Sequence, residues 1–490
     1  MDIGRPFSSG ALRVALAVAS VAAASTASAQ PFELTFGPGG STEQAGRGVA
    51  PVRLCPGGGA ITAGSTGDTA IGMSRVYVVR TASMGRPLWE RTYDLAPGTL
   101  GETGESIVEL SDGSGFVVAG SSRSSATQRD AFLMKIDCDG KVVWSHAYSG
   151  SGDEVALDVT EARTGTAASN TAPGDLIAAG LAGAPLPGNA LNGLLFRTDA
   201  AGKLIWSQRY DVPGRSAFNA AIEARPTAVD AAGDVVAAGY VTLPGTTSER
   251  GYALRVSGAD GRLWALPHCG GSFGAYGRVR FEAVAERLGS GAPLVFLGSA
   301  IAQTARESQA VVVSTLALPC QGVAARVIGG PVGQTLGLDV QPVASPLPIA
   351  PTGAVAITGS TTRPGVPGSD AFLLTLNPTT LAPFSGTGRL FGGRSRGFEA
   401  GQSLAVLRDG FLIAGRTTTD FSGAYDPGDA YLVNTDASGK TACGEGWEPA
   451  HTAFPVSAVP VRPAAVPYAL QQSVRAVAIG GVTSPTVACP

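Results

Sequence analysis

The sequence predicts an all-β protein: a single seven-bladed β-propeller of four-stranded blades, with its ring closed by an N-terminal strand. Three observations predict it. Gly supplies 68 of 490 residues and charged residues only 15%, a balance suited to many short strands joined by tight turns. A Gly that closes a β-rich run recurs at Gly64, Gly120, Gly180, Gly239, Gly298, Gly359 and Gly415, at spacings of 56, 60, 59, 59, 61 and 56 residues. Four β-rich runs fit within one such period, which is too long for a solenoid rung and suits a propeller blade.

The elements follow in order. Residues 1–29 read as a signal peptide. Arg5 and Arg13 give a positive start, Val14 to Ala24 is apolar, and Ala27-Ser28-Ala29 offers a cleavage site before Gln30. The apolar run is too short to span a bilayer, and no later one is long enough. The expected location is therefore secreted or periplasmic, without membrane insertion. Residues 30–455 form the propeller and 456–490 a C-terminal closing tail.

The clearest unit runs from Glu105 to Gly150. Its first strand is Ser106-Ile107-Val108-Glu109-Leu110, and its second is Phe116-Val117-Val118-Ala119-Gly120. The third runs from Asp130 to Asp137, and the fourth begins at Lys141 after the Asp139-Gly140 turn. Fourth strands carry aromatic pairs four apart: Trp89 and Tyr93, Trp144 and Tyr148, Trp206 and Tyr210. Such spacing places both rings on one face, toward a neighbouring blade. Phe32 and Phe36 share that spacing before any first strand has appeared. This segment is thus an orphan fourth strand, expected to complete the last blade and remove exposed sheet edges.

These units, Ala-Gly-Ser followed by Asp-Ala-Phe-Leu and Asp-x-x-Gly-x-x-x-Trp, resemble the repeats of bacterial secreted β-propellers. The stretches Asp137 to Trp144 and Asp199 to Trp206 are also similar to the tryptophan-docking motif of quinoprotein-type propellers. The resemblance spans nearly all of the mature chain and weakens in the fifth and sixth units, where Ala317-Leu318-Pro319-Cys320 and Pro378-Thr379-Thr380 replace the Asp-x-x-Gly turn. It implies fold and blade packing; function does not transfer with it.

Six cysteines in an exported chain allow disulfides, and Cys443 with Cys489 is the expected pair, tying the tail to the propeller. The pairing of Cys55, Cys138, Cys269 and Cys320 stays open. Asp130, Asp370 and Asp429 recur at one blade position, which points to a structural role. Asp137-Cys138-Asp139-Gly140 superficially resembles a calcium loop, but its equivalents lack the second acid. His146, His268 and His451 are far apart and fall in different units. Metal, cofactor and catalytic residues are accordingly all read as none. A net charge of −3 with scattered basic residues carries no nucleic-acid footprint.

Ligand contacts are then expected on the loop face, at Asp153, Glu154, Arg278, Arg280, Arg394, Arg396, Glu399, Phe421 and Tyr425. The implied function is a non-enzymatic binding or scaffold protein that engages an unknown protein or polysaccharide. The alternatives are a propeller-type glycan hydrolase or lyase, with Asp153, Glu154 and Glu399 converging on the channel, and a structural cell-surface component. The oligomeric state stays open.

Overall fold

The structure, a computed structural model, describes most of residues 31–487; outside it lie 1–30, 488–490 and short connecting stretches, the longest being 184–190, 224–232, 287–293 and 316–323. The expected leader therefore falls outside the described residues. Among those described there is no α-helix, and the strands form antiparallel meanders of four.

β1 (Phe32–Phe36) precedes the first meander, which is β2 (Thr42–Pro51), β3 (Ala60–Asp68), β4 (Met73–Thr81) and β5 (Pro87–Asp94). The second holds β6 (Glu102–Glu109), β7 (Phe116–Ser125), β8 (Gln128–Ile136) and β9 (Val142–Ser149). β10 (Glu154–Glu161), β11 (Leu176–Ala182), β12 (Asn192–Thr198) and β13 (Leu204–Asp211) form the third. The fourth comprises β14 (Arg215–Glu223), β15 (Val235–Thr242), β16 (Glu249–Val256) and β17 (His268–Ser272). It touches the fifth, β18 (Tyr276–Glu286), β19 (Leu294–Ala302), β20 (Ser308–Thr315) and β21 (Ala324–Ile328), through one parallel pairing, Glu249 with Arg278. β22 (Thr335–Pro342), β23 (Val355–Thr361), β24 (Asp370–Leu376) and β25 (Gly388–Phe391) form the sixth. The seventh supplies only β26 (Glu399–Val406), β27 (Phe411–Thr419) and β28 (Tyr425–Asn434) before the chain leaves the meander pattern.

The fourth strand of that seventh sheet is β1, antiparallel to β28 from Phe32↔Asn434 to Phe36↔Ala430. Its register reproduces that of the first sheet. There Tyr77 of β4 donates to Glu90 of β5 at 3.0 Å, and at the equivalent positions Tyr431 of β28 donates to Glu33 of β1. Phe36 is fully buried where Tyr93 lies in the first sheet. Residues 445–487 add one further short strand to the outer edge of each sheet.

Middle strands read as continuous apolar runs because both of their faces are covered; every residue of β23 and β24 is buried. Apolar clusters fill the spaces between consecutive sheets, as with Val76 and Tyr93 against Phe116 and Phe132. Another cluster joins Leu34, Phe36 and Tyr77 to Leu412 and Leu432, so the seventh sheet packs on the first. Fourth-strand aromatics lock the first three sheets to those that follow. Tyr93, Tyr148 and Tyr210 donate to the carbonyls of Gly140, Gly202 and Gly261 at 2.8, 2.5 and 2.6 Å, all in turns of the following sheet. Trp89 and Trp206 add indole N–H bonds to Cys138 and Gly258. The Asp of the Asp-x-x-Gly motif belongs to the same turns: Asp137 Oδ1 accepts from the N–H groups of Asp139 and Lys141, and Asp199 Oδ1 from those of Ala201 and Lys203. A disulfide between Cys55 and Cys138, Cα–Cα 5.5 Å, staples the first sheet to the second, a bond compatible with an extracellular or periplasmic location.

Candidate functional site

The repeat-marking Gly residues and the centre of the molecule are linked by one local feature. In every first strand the ladder shifts register opposite the marking Gly, leaving one extra residue: Arg47, Glu105, Leu157, Asn219, Glu282, Leu338 and Gln402. A bulge kinks the strand and drives a carbonyl toward its partner. A Cβ on Gly64, Gly120, Gly180, Gly239, Gly298, Gly359 or Gly415 would lie only 1.6–1.8 Å from that carbonyl oxygen. The marker is therefore Gly because no other residue leaves room for the bulge.

The bulged residues and their successors surround one central cavity of about 810 Å³, lined by all seven first strands. Those strands contact one another in sequence, β2 with β6, then β10, β14, β18, β22 and β26, and β26 with β2. Side chains bridge most of these junctions. Arg47 pairs with Glu105 at 3.0 Å. Ser106 donates to Asp158 Oδ1 at 2.8 Å, while Asp158 Oδ2 accepts the Ala221 N–H of the following strand at 3.1 Å. Asn219 donates to Glu282 at 2.7 Å and to the Phe281 carbonyl at 2.9 Å. Asp339 accepts from the Leu404 N–H at 2.7 Å and from Ser403 at 3.3 Å, and Ser403 in turn accepts the Val49 N–H at 3.2 Å.

Asp158 and Asp339 each follow the bulged residue of their strand and share one geometry, each also accepting the N–H of its own successor, Val159 or Val340. Both are half-buried, deep in the molecule but open to the cavity. Burial raises the Asp158 carboxyl above its ordinary range despite its N–H donors. It pushes Asp339 up to about 7, and the neighbouring charge of Asp158 adds to the effect. Glu282 is likewise raised by burial.

Among the described residues expected on the loop face, Asp153, Glu154, Arg278, Arg280 and Glu399, none lines this cavity. Asp153 and Glu154 are adjacent at the start of β10, where Asp153 reaches β8 of the preceding sheet and Glu154 holds its own loop. Asp153 accepts the Arg129 N–H at 2.9 Å, and the fully buried Glu154 accepts those of Gly150 and Gly152 at 2.8 and 3.2 Å. Glu399 is buried at the matching position of β26 and accepts from Thr417 at 2.9 Å. Glu102 begins β6 in the same way, accepting the Leu95 N–H, so an acid here closes the entry to a first strand. Arg278 and Arg280 converge on Glu249, at 3.1 and 2.6 Å, and Arg280 stacks 4.3 Å over Tyr240. Burial opposes the charge on Glu249, yet the two guanidiniums hold its carboxyl below its usual range. Arg394, Arg396 and Phe421 lie outside the described residues, as does the side chain of Tyr425, which begins β28. Cys443 is disulfide-bonded; Cys489, its expected partner, lies outside the described residues. Among the described residues no group of three or more His, Cys, Asp or Glu is placed to hold a metal ion.

No family model and no curated protein matches this chain. Among solved structures, it is similar to a mutant of NanB sialidase from Streptococcus pneumoniae, at 10% identity over 83% of this chain and 70% of that one, with a TM-score of 0.41. Nothing about the chemistry of this chain follows from that likeness.

Sequence reasoning missed the cavity residues. The signal was a second Gly in the first strand, at Gly46, Gly104, Gly337 and Gly401, just before the bulge. The distance from bulge to marking Gly varies, from 13 residues for Gln402 to 23 for Leu157, because the intervening turns differ in length. No fixed offset could align Asp158 with Asp339.

Proposed function

We propose that this chain is an exported, non-enzymatic binding or scaffold protein, a seven-bladed β-propeller closed by its N-terminal strand, which engages a protein or polysaccharide through its loop face. The ring reading is supported by the matching registers of β1 and β5 and by the apolar cluster between the seventh sheet and the first. One observation carries the functional reading. The acids a propeller hydrolase would draw on are engaged with protein: Asp158 and Asp339 hold N–H groups of neighbouring strands, Asp153 holds the Arg129 N–H of β8, Glu154 holds its own loop, and Glu399 holds the Thr417 hydroxyl of β27. A catalytic carboxylate must instead reach substrate.

A hydrolase reading draws on Asp339, whose raised carboxyl shares a cavity with Asp158 and has the proton affinity suited to a general acid. One experiment separates the two. The mature protein is immobilised and offered a glycan panel and envelope extract, and the released sugars are measured in parallel. Retention of a ligand without turnover is expected. Sugar release that disappears in Asp339→Asn or Asp158→Asn replaces the binding reading with the enzymatic one.

A further inference from the structure

The last part of the chain follows a rule of its own. β29 (Glu445–Trp447), β30 (His451–Phe454), β31 (Ser457–Val461), β32 (Ala464–Pro467), β33 (Gln471–Val474), β34 (Ala478–Gly481) and β35 (Thr486–Val487) begin 6, 6, 7, 7, 7 and 8 residues apart. Each pairs antiparallel with the outermost strand of a different sheet, successively β25, β21, β17, β13, β9, β5 and β1. The segment thus visits every sheet once, against the order in which the chain built them.

Geometry explains how one segment reaches all seven. Strands within a sheet rotate by roughly 20–25° per step, so over four steps the fifth strand lies about 80–100° from the first. With first strands around the central cavity, fifth strands lie along the circumference. Seven extended residues cover about 23 Å, enough to carry the segment from one sheet to the next.

An outermost strand without this segment would present a row of unpaired N–H and C=O groups, the surface on which extended peptides add. Each pairing here is only two to five residues long. Pro460 and Pro467 sit within paired strands, opposite Cys269 and Gln208. Proline has no N–H to give to a ladder and is tolerated at edges. Short, proline-interrupted pairings are individually weak, and their linkage in one chain keeps them occupied.

We infer that the rim of outer sheet edges is a strand-addition site whose resident occupant is residues 445–487, and that the same segment of a second copy of this chain can take its place. The site is separate from the loop face and independent of what that face binds.

The test nicks the protein without shortening it. A protease site is inserted between Trp447 and His451 in a Cys443→Ser background, so that no disulfide through Cys443 holds the cut ends. A fluorescent peptide spanning 451–487 is then added before and after cleavage. Incorporation approaching one peptide per cleaved protein is expected, with at least tenfold less into the uncleaved protein, and a scrambled peptide should stay unbound. A nicked segment that never exchanges overturns displacement. Loss of the segment without uptake of the peptide overturns the strand-addition site.

Discussion

At the residue scale, the marking Gly and the channel acids are two halves of one device. The Gly admits a bulge, and the bulge turns a polar side chain toward the neighbouring first strand. Gly180→Ala sets a Cβ against the Val155 carbonyl at 1.8 Å and is expected to cost about 2–3 kcal/mol. Gly446→Ala, where a Cβ meets nothing within 4 Å, should stay within about 0.5 kcal/mol. Equal denaturation midpoints for the two variants would remove the steric account.

Asp339 makes a prediction about pH. In the folded protein its proton is retained up to about pH 7, whereas in the unfolded chain it leaves near pH ~4. Between those values the folded state binds more protons, so this group's contribution to stability is full below about pH 4 and is lost as pH rises toward 7. Asp339→Asn cannot titrate. Its stability relative to the parent should therefore rise across that window, by at most about 1.4 kcal/mol per pH unit. Thermal melts of both proteins from pH 4 to 8 check this, and a difference constant with pH would refute the assignment.

At the scale of elements, β1 was legible and the channel was not, for a physical reason. An aromatic pair four apart fixes which face of a strand is buried whatever its surroundings, so Phe32 and Phe36 identified a fourth strand before its partner was known. β28 then received it in the register of the first sheet. Phe36→Ala, at a fully buried position, should cost about 3–4 kcal/mol. An unchanged melting temperature would show that β1 is dispensable to the seventh sheet. Glu154 and Glu399 read in the sequence as loop-face acids because they lie in connections that lead from a fourth strand to a first. Their recurrence with Glu102 at the entry of first strands, visible only once the strands are aligned, reveals a closing role.

At the scale of the molecule, apolar clusters join every consecutive pair of sheets, side-chain bridges around the cavity reinforce most of these junctions, and Tyr and Trp bonds into the next turn add to the first three. Couplings of this kind make partial loss of one sheet costly to its neighbours. Calorimetry should accordingly show a single unfolding transition, shifted as a whole by Gly180→Ala. Separate transitions, with only one displaced, would mean that the sheets melt independently.

The sequence by itself determined the strand class, the sixty-residue unit, the docking aromatics and the orphan N-terminal strand. All are set within one strand or turn, where periodicity, turn residues and ring spacing act locally. Only the tertiary structure decided that Asp158 and Asp339 face one cavity, that Cys55 meets Cys138, and that the tail pairs with every sheet in turn. These depend on turn lengths and on twist accumulated across whole sheets, and neither is encoded at a fixed distance along the chain.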